Sequence, residues 1–206
     1  MVNISWGNNC LTDARKMANL HFNSTLPALA YFSDVKSDAY YLDAVDWAVD
    51  KHITTGTTST AFSPGKTCAH GEILTFLWRA EGKPEPSAQP PFAVKAGAYY
   101  EGAAKWAFEK GMIGKGFDPE APCTRADAMT YIWRAQSSPD APMPPEGVIP
   151  AFTDVTAATH PADRLIAVTW AVCAGVTRGT GDGSTFSPDW ICTRGEIVTF
   201  LYRAYK

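Results

Sequence analysis

The chain of 206 residues is 46% apolar and carries a formal net charge of -3, with an isoelectric point near 5.8. That composition supplies a packed core and argues against non-specific binding to nucleic acid or an anionic membrane, which needs a clustered cationic face, while leaving a few local arginines free to bind a polyanion. No apolar run approaches the roughly 18 residues of a membrane span, and the opening MVNISWGNNCLTDARK has neither the basic start nor the apolar stretch of a secretory signal, which taken literally points to the cytoplasm.

The first expected element is a helix over CLTDARKMANLHF, Cys10 to Phe22, within an N-terminal helical extension covering residues 1–30. Phe32 then leads into YLDAVDWAVDKHI, where Leu42, Val45, Val49 and Ile53 recur at helical spacing around Trp47. A glycine-rich loop follows to Phe62-Ser-Pro, and CAHGEILTFLWRA, Cys68 to Ala80, reads as a second helix. After the connector EGKPEPSAQPPF the order returns: Phe92, a helix around Trp106, a loop to Phe117-Asp-Pro, and CTRADAMTYIWRA from Cys123 to Ala135. A second connector, QSSPDAPMPPEGVIPAF, precedes Phe152, a helix around Trp170, a loop to Phe186-Ser-Pro, and CTRGEIVTFLYRA from Cys192 to Ala204. Proline-rich connectors of this kind are expected to be extended.

The constancy of spacing identifies a duplication. The second phenylalanine precedes the cysteine by six residues in every copy, and the cysteine precedes the arginine of Trp/Tyr-Arg-Ala by eleven. Between tryptophan and second phenylalanine the interval is 15, 11 and 16 residues, so insertions fall in the loop. Repeats are expected over 31–82, 91–136 and 151–206. A helix-loop-helix of this length buries too little surface to be stable alone, so the three are expected to share one core in an all-α fold.

Local chemistry follows the same frame. Thr193 and Glu196 have capping-box spacing, Thr124 and Asp127 a weaker version, while Ala69 in the first copy offers no acceptor and leaves only Glu72 to complement the helix dipole. Gly111 and Gly175 suit left-handed C-caps, with His52 in that place in the first copy. Cys68, Cys123 and Cys192 are expected to be small buried side chains. No metal site is expected, since no CxxC or Cys/His cluster occurs, and GTGDGSTF around Asp182 reads as a tight turn. Arg79, Arg134 and Arg203 are expected to carry ion pairs near helix C-termini. No catalytic fingerprint appears, and the four histidines (His21, His52, His70, His160) have no ligand spacing, so neither an enzyme nor a cofactor is expected.

Phe-Ser/Thr-Asp-Val, a mid-helix tryptophan, a glycine-rich loop ending in Phe-x-Pro and then Thr-Arg-x-Glu/Asp, in this order over Phe32 to Ala204, resemble the S-layer homology domain in three tandem copies. The resemblance implies a three-pronged helical spindle with pseudo-threefold symmetry, whose inter-repeat grooves bind secondary cell-wall polymer, commonly through pyruvylated N-acetylmannosamine. It implies a non-catalytic anchor on the extracellular face of a Gram-positive-type wall, with peptidoglycan-linked carbohydrate as partner. The missing leader is then expected because the chain is a piece of a longer protein, one that can carry an upstream cargo domain.

Candidate ligand-binding residues follow. Arg125 and Arg194, at helix N-termini beside Thr124 and Thr193, match a ketal carboxylate in charge and fork geometry. Trp47, Trp106 and Trp170 offer apolar faces to a sugar or pack in the core; Asp34 and Asp154 accept from hydroxyls or cap a turn. The copies are unequal: the first has Asp34 but Ala69-His70, the second Thr124-Arg125 but Val94, and only the third has Asp154, Thr193 and Arg194 together. One or two grooves are expected to bind, with the His70 groove weak or pH-dependent. The alternative function is a helical-repeat protein scaffold whose carbohydrate grooves have degenerated.

Overall fold

A computed structural model describes residues 31–139, 152–156 and 158–206. The helix expected over Cys10 to Phe22 and most of the second connector lie outside these residues. The described residues form six helices and no strand: α1 (Leu42–Asp50), α2 (His70–Ala80), α3 (Glu101–Glu109), α4 (Arg125–Ala135), α5 (Ala162–Cys173) and α6 (Arg194–Tyr205). The fold is all-α, as the periodicity predicts.

The helices pack across units. The second helix of one unit lies on the first helix of the next, α2 on α3 and α4 on α5, and the ring closes with α6 on α1. Closure is built at the cysteines. The Cys68 amide donates to the Cys192 carbonyl, Cys123 to Cys68 and Cys192 to Cys123, each at 2.9 Å. Three chemically equivalent bonds in a cycle define a pseudo-threefold axis. All three cysteines are fully buried, free thiols.

One continuous core runs through all three units, with Val45, Ile53, Ile73, Leu77, Met129, Ile132, Ile197 and Leu201 fully buried. All but Ile53, which lies just past the end of α1, are apolar stripe positions of their helices. Phe62 and Phe186 are also fully buried, each contributing about 2–3 kcal/mol by removal from water. His52, Gly111 and Gly175 all take left-handed conformations after the first helix of their unit, at φ of 56°, 65° and 74°. The later arginines tie each unit to itself: Arg79 donates to Ile53 O at 2.9 Å, Arg203 to Val176 O at 3.3 Å, and Arg134 to Gly111 O. Their main partners are therefore carbonyls past the first helix rather than the expected acids; Arg134 alone adds an ion pair, to Asp163.

The loop insertions have a structural cause. Phe32 packs on Phe62 and Phe152 on Phe186, with ring centroids 5.8 and 5.6 Å apart. Each leading ring is seated against a left-handed glycine in the longer loop, and a Cβ there would stand 2.5 Å from Phe32 at Gly56 and 2.7 Å from Phe152 at Gly179. The second unit has the short loop, and Phe92 packs instead edge-on against Phe108.

Candidate functional site

The cyclic packing creates three junctions, each where the N-terminus of a second helix meets the loop and first helix of the following unit. At every junction the same backbone bonds recur. The amides of His70, Arg125 and Arg194 donate to the carbonyls of Ala121, Trp190 and Lys66, and those of Gly71, Ala126 and Gly195 to Pro119, Pro188 and Pro64. The free N–H groups at the helix starts are thus largely used in joining units.

Arg125 and Arg194 point inward, 6% and 3% exposed. The Arg125 guanidinium lies 5.0 and 5.3 Å from the centroids of Phe186 and Phe200, donates from Nε to Phe186 O at 2.9 Å and reaches Thr177 Oγ1 at 3.2 Å. Arg194 repeats the arrangement on the first unit, between Phe62 and Phe76, with Nε donating to Phe62 O at 3.0 Å and Nη1 to Glu72 Oε1 at 2.8 Å. Among the described residues its Nη2 is buried without a hydrogen-bond partner. A cation held between two aromatic faces gains from both ring quadrupoles, while burial lowers the Arg125 pKa from its ordinary value. His70 takes the equivalent place toward the second unit, with Nδ1 2.9 Å from Tyr131 Oη and Nε2 3.9 Å from Asp127. Burial pulls its pKa down, against the opposing charges of Asp127 and Asp118.

Thr124 and Thr193 are N-caps. Thr193 Oγ1 accepts from the Glu196 amide at 3.3 Å while Glu196 accepts from the Thr193 amide at 2.8 Å, and Thr124 with Asp127 forms the same box. At Ala69 half of it survives, the Ala69 amide donating to Glu72 Oε2 at 3.0 Å. Asp34 accepts from the Phe62 and Ser63 amides at 2.9 and 2.7 Å, and Asp154 from Phe186 and Ser187 at the same distances. Ser63 and Ser187 are left-handed, at φ of 58° and 56°, so each aspartate holds a strained corner. In the second unit Val94 cannot do this, and the aspartate of Phe117-Asp-Pro turns its side chain to the Glu120 amide instead. Trp106 and Trp170 are buried, and Trp47 is half-buried against Tyr202 and Tyr205.

The sequence reading missed the residues at the rims. Tyr40 and Tyr99 are equivalent, each packed edge-on against the next tyrosine and 66% and 54% exposed. Tyr99 stands over Gly71 at the α2–α3 junction, and Tyr40 belongs to the α6–α1 junction, where Tyr41 covers Gly195. Burial and the nearby charges of Glu72 and Glu196, respectively, raise their pKa values. At the α4–α5 junction the two tyrosine positions are Asp163 and Arg164. Arg164 reaches Asp127 at 2.7 Å and Asp163 reaches Arg134 at 2.5 Å. Among the described residues no group of three or more His, Cys, Asp or Glu is placed to hold a metal ion, and no helix is long and apolar enough to cross a membrane.

Residues 31–73 match the S-layer homology domain. Over that stretch the chain is similar to the S-layer homology family. The S-layer protein sap of Bacillus anthracis is 25% identical over 186 residues, 85% of this chain and 21% of that protein. Exoglucanase XynX of Acetivibrio thermocellus is 26% identical over 175 residues, covering 83% of this chain and 16% of its own length. The surface-layer 125 kDa protein of Lysinibacillus sphaericus is 34% identical over 122 residues, 53% of this chain and 10% of that protein. The chain thus spans only a small part of each relative it matches.

Proposed function

We propose that this chain is a non-catalytic anchoring module that holds a larger protein on the outer face of a Gram-positive-type cell wall by binding secondary cell-wall polysaccharide at its inter-unit junctions. One observation carries the reading: proteins named for unlike activities, an exoglucanase and an S-layer protein, share with this chain over four-fifths of its length and less than a quarter of their own. A module common to such proteins supplies something other than the catalysis of any one of them, which in this reading is attachment at the surface.

The junctions suit an anionic saccharide. Helix N-termini and the guanidinium groups beneath them give a positive local field, and pyruvylated N-acetylmannosamine would present its carboxylate to that field. Arg125 and Arg194 act in this reading from below, through charge and through the unused Nη2 donor of Arg194, while Thr124, Thr193, Asp34 and Asp154 fix the walls. Trp47, Trp106 and Trp170 support the first helices from the core side, and His70 serves the weakest junction.

The test is affinity capture from solubilised wall material. Immobilised protein should retain a pyruvate-bearing polysaccharide, and labelled wall fragments incubated with it should come back at unchanged length. Recovery of a protein free of carbohydrate would move the function to a scaffold, and shortened fragments would make it an enzyme.

A further inference from the structure

We propose that only the α2–α3 and α6–α1 junctions take up saccharide, with Tyr99 and Tyr40 as the platforms on which a sugar ring stacks, and that Arg164 closes the third junction. The proposal rests on the polysaccharide reading above.

The argument begins with a displaced charge. At two junctions the acidic third residue of the second helix lies near an arginine from the preceding unit: Glu72 is bonded to Arg194, and Glu196 lies within the field of Arg125. At the third, that arginine position is His70, and the Asp127 carboxylate is met by Arg164 from the opposite side. Arginine has been lost at one position and gained at another around the same acid. The gain has a consequence, because Arg164 occupies the place of Tyr41 and Tyr100, and Asp163 that of Tyr40 and Tyr99. Two ion pairs, Arg164 to Asp127 and Asp163 to Arg134, lie across this junction. The floor is also raised, since Ala126 stands where the others have Gly71 and Gly195.

The two remaining junctions have what a sugar requires. A pyranose presents an apolar C–H face and polar edges, and an exposed aromatic ring held by a second ring offers the matching surface. Tyr40 and Tyr99 are both more than half exposed and are each fixed edge-on by their neighbours. Independently, Arg194 keeps Nη2 without a partner among the described residues although its side chain is only 4% exposed, beside the carboxylate whose charge reaches Tyr99. The rim of the α2–α3 junction also carries Lys66, whose side chain is bonded to Glu72 at 3.1 Å and which favours an anionic sugar there.

The test measures retention on purified Gram-positive sacculi for the wild-type chain, Tyr40→Ala, Tyr99→Ala, the double variant and Arg164→Ala, with Tyr40→Phe and Tyr99→Phe as ring-preserving controls. Each single alanine should weaken retention about tenfold, as loss of an aromatic anchor does. The double variant should lose about a hundredfold or more, because two linked sites reinforce one another. The phenylalanine variants and Arg164→Ala should stay within about twofold of wild type, well below the cost of losing an anchor. Tyrosine variants that bind normally while Arg164→Ala fails would overturn the proposal and leave the polysaccharide reading standing. A wild-type chain that is not retained would overturn both.

Discussion

Arg194 and Glu72, 122 residues apart in the chain, meet at 2.8 Å inside the closing junction of the ring, with side chains 4% and 12% exposed. This is the contact by which the end of the chain recognises its beginning. Truncating Arg194 removes two charge-assisted hydrogen bonds, to Glu72 and to Phe62 O, and leaves Glu72 with Lys66 at 3.1 Å as its remaining cation. Arg194→Ala is therefore expected to lower stability by roughly 3–5 kcal/mol, read as a shift in the urea midpoint at constant slope. Arg194→Lys should recover little, since an ammonium has neither the Nε donor used on Phe62 O nor the planar face held between two rings. Loss of wall binding in such a variant must accordingly be separated from loss of fold.

Asp34→Ala and Asp154→Ala are expected to cost about 2–3 kcal/mol each. Every one of these carboxylates accepts two backbone amides at a left-handed corner, and hydrogen bonds to a charged group carry about 1.5–3 kcal/mol. Val94→Asp should bring no matching gain, because the second unit already satisfies its shorter loop through Asp118. Thermal melting of the three variants checks both statements.

His70 makes stability depend on pH. Its folded pKa lies below the ordinary 6.5, mainly through burial, in surroundings that also include Tyr131, Asp127 and Asp118, with Arg164 on the far side of Asp127. The unfolded chain then binds the proton more readily than the folded one. The stabilisation is complete above pH 6.5 and is lost progressively as pH falls from there through the folded value. In His70→Gln this component of the acid slope should vanish, as followed by denaturation midpoints between pH 7.5 and about pH 5.

The axial cysteines should be chemically silent. Burial raises the thiol pKa of all three, that of Cys192 to about 12. In a Cys10→Ser background, iodoacetamide at mildly alkaline pH is expected to label the half-buried Cys173 and to leave Cys68, Cys123 and Cys192 unmodified until denaturant is added. Mass spectrometry of the labelled peptides reads the result.

The helices were legible because each carries its own apolar period, and the buried cysteines because a small residue at three equivalent positions has few other uses. The inward course of Arg125 and Arg194 was not legible. The first residue of a helix ordinarily faces water, and nothing local says that the next unit brings two phenylalanines to meet it. Tyr40 and Tyr99 escaped notice for the opposite reason, since tyrosine before an apolar helix reads as core. One signal was present: the first unit exchanges arginine for His70 where the third exchanges tyrosine for Arg164, and two departures that compensate one another in charge mark residues that meet. In the sequence the loop of 11 residues and Val94 stand as separate irregularities, whereas the fold makes them one change.

The most direct measurement is co-sedimentation of the folded chain with Gram-positive sacculi before and after mild acid removes first the ketal and then the polymer. Retention on intact walls that drops on loss of the ketal and disappears with the polymer is the predicted result. Equal retention on stripped peptidoglycan, or none on intact walls from several sources, would contradict anchoring through secondary cell-wall polysaccharide.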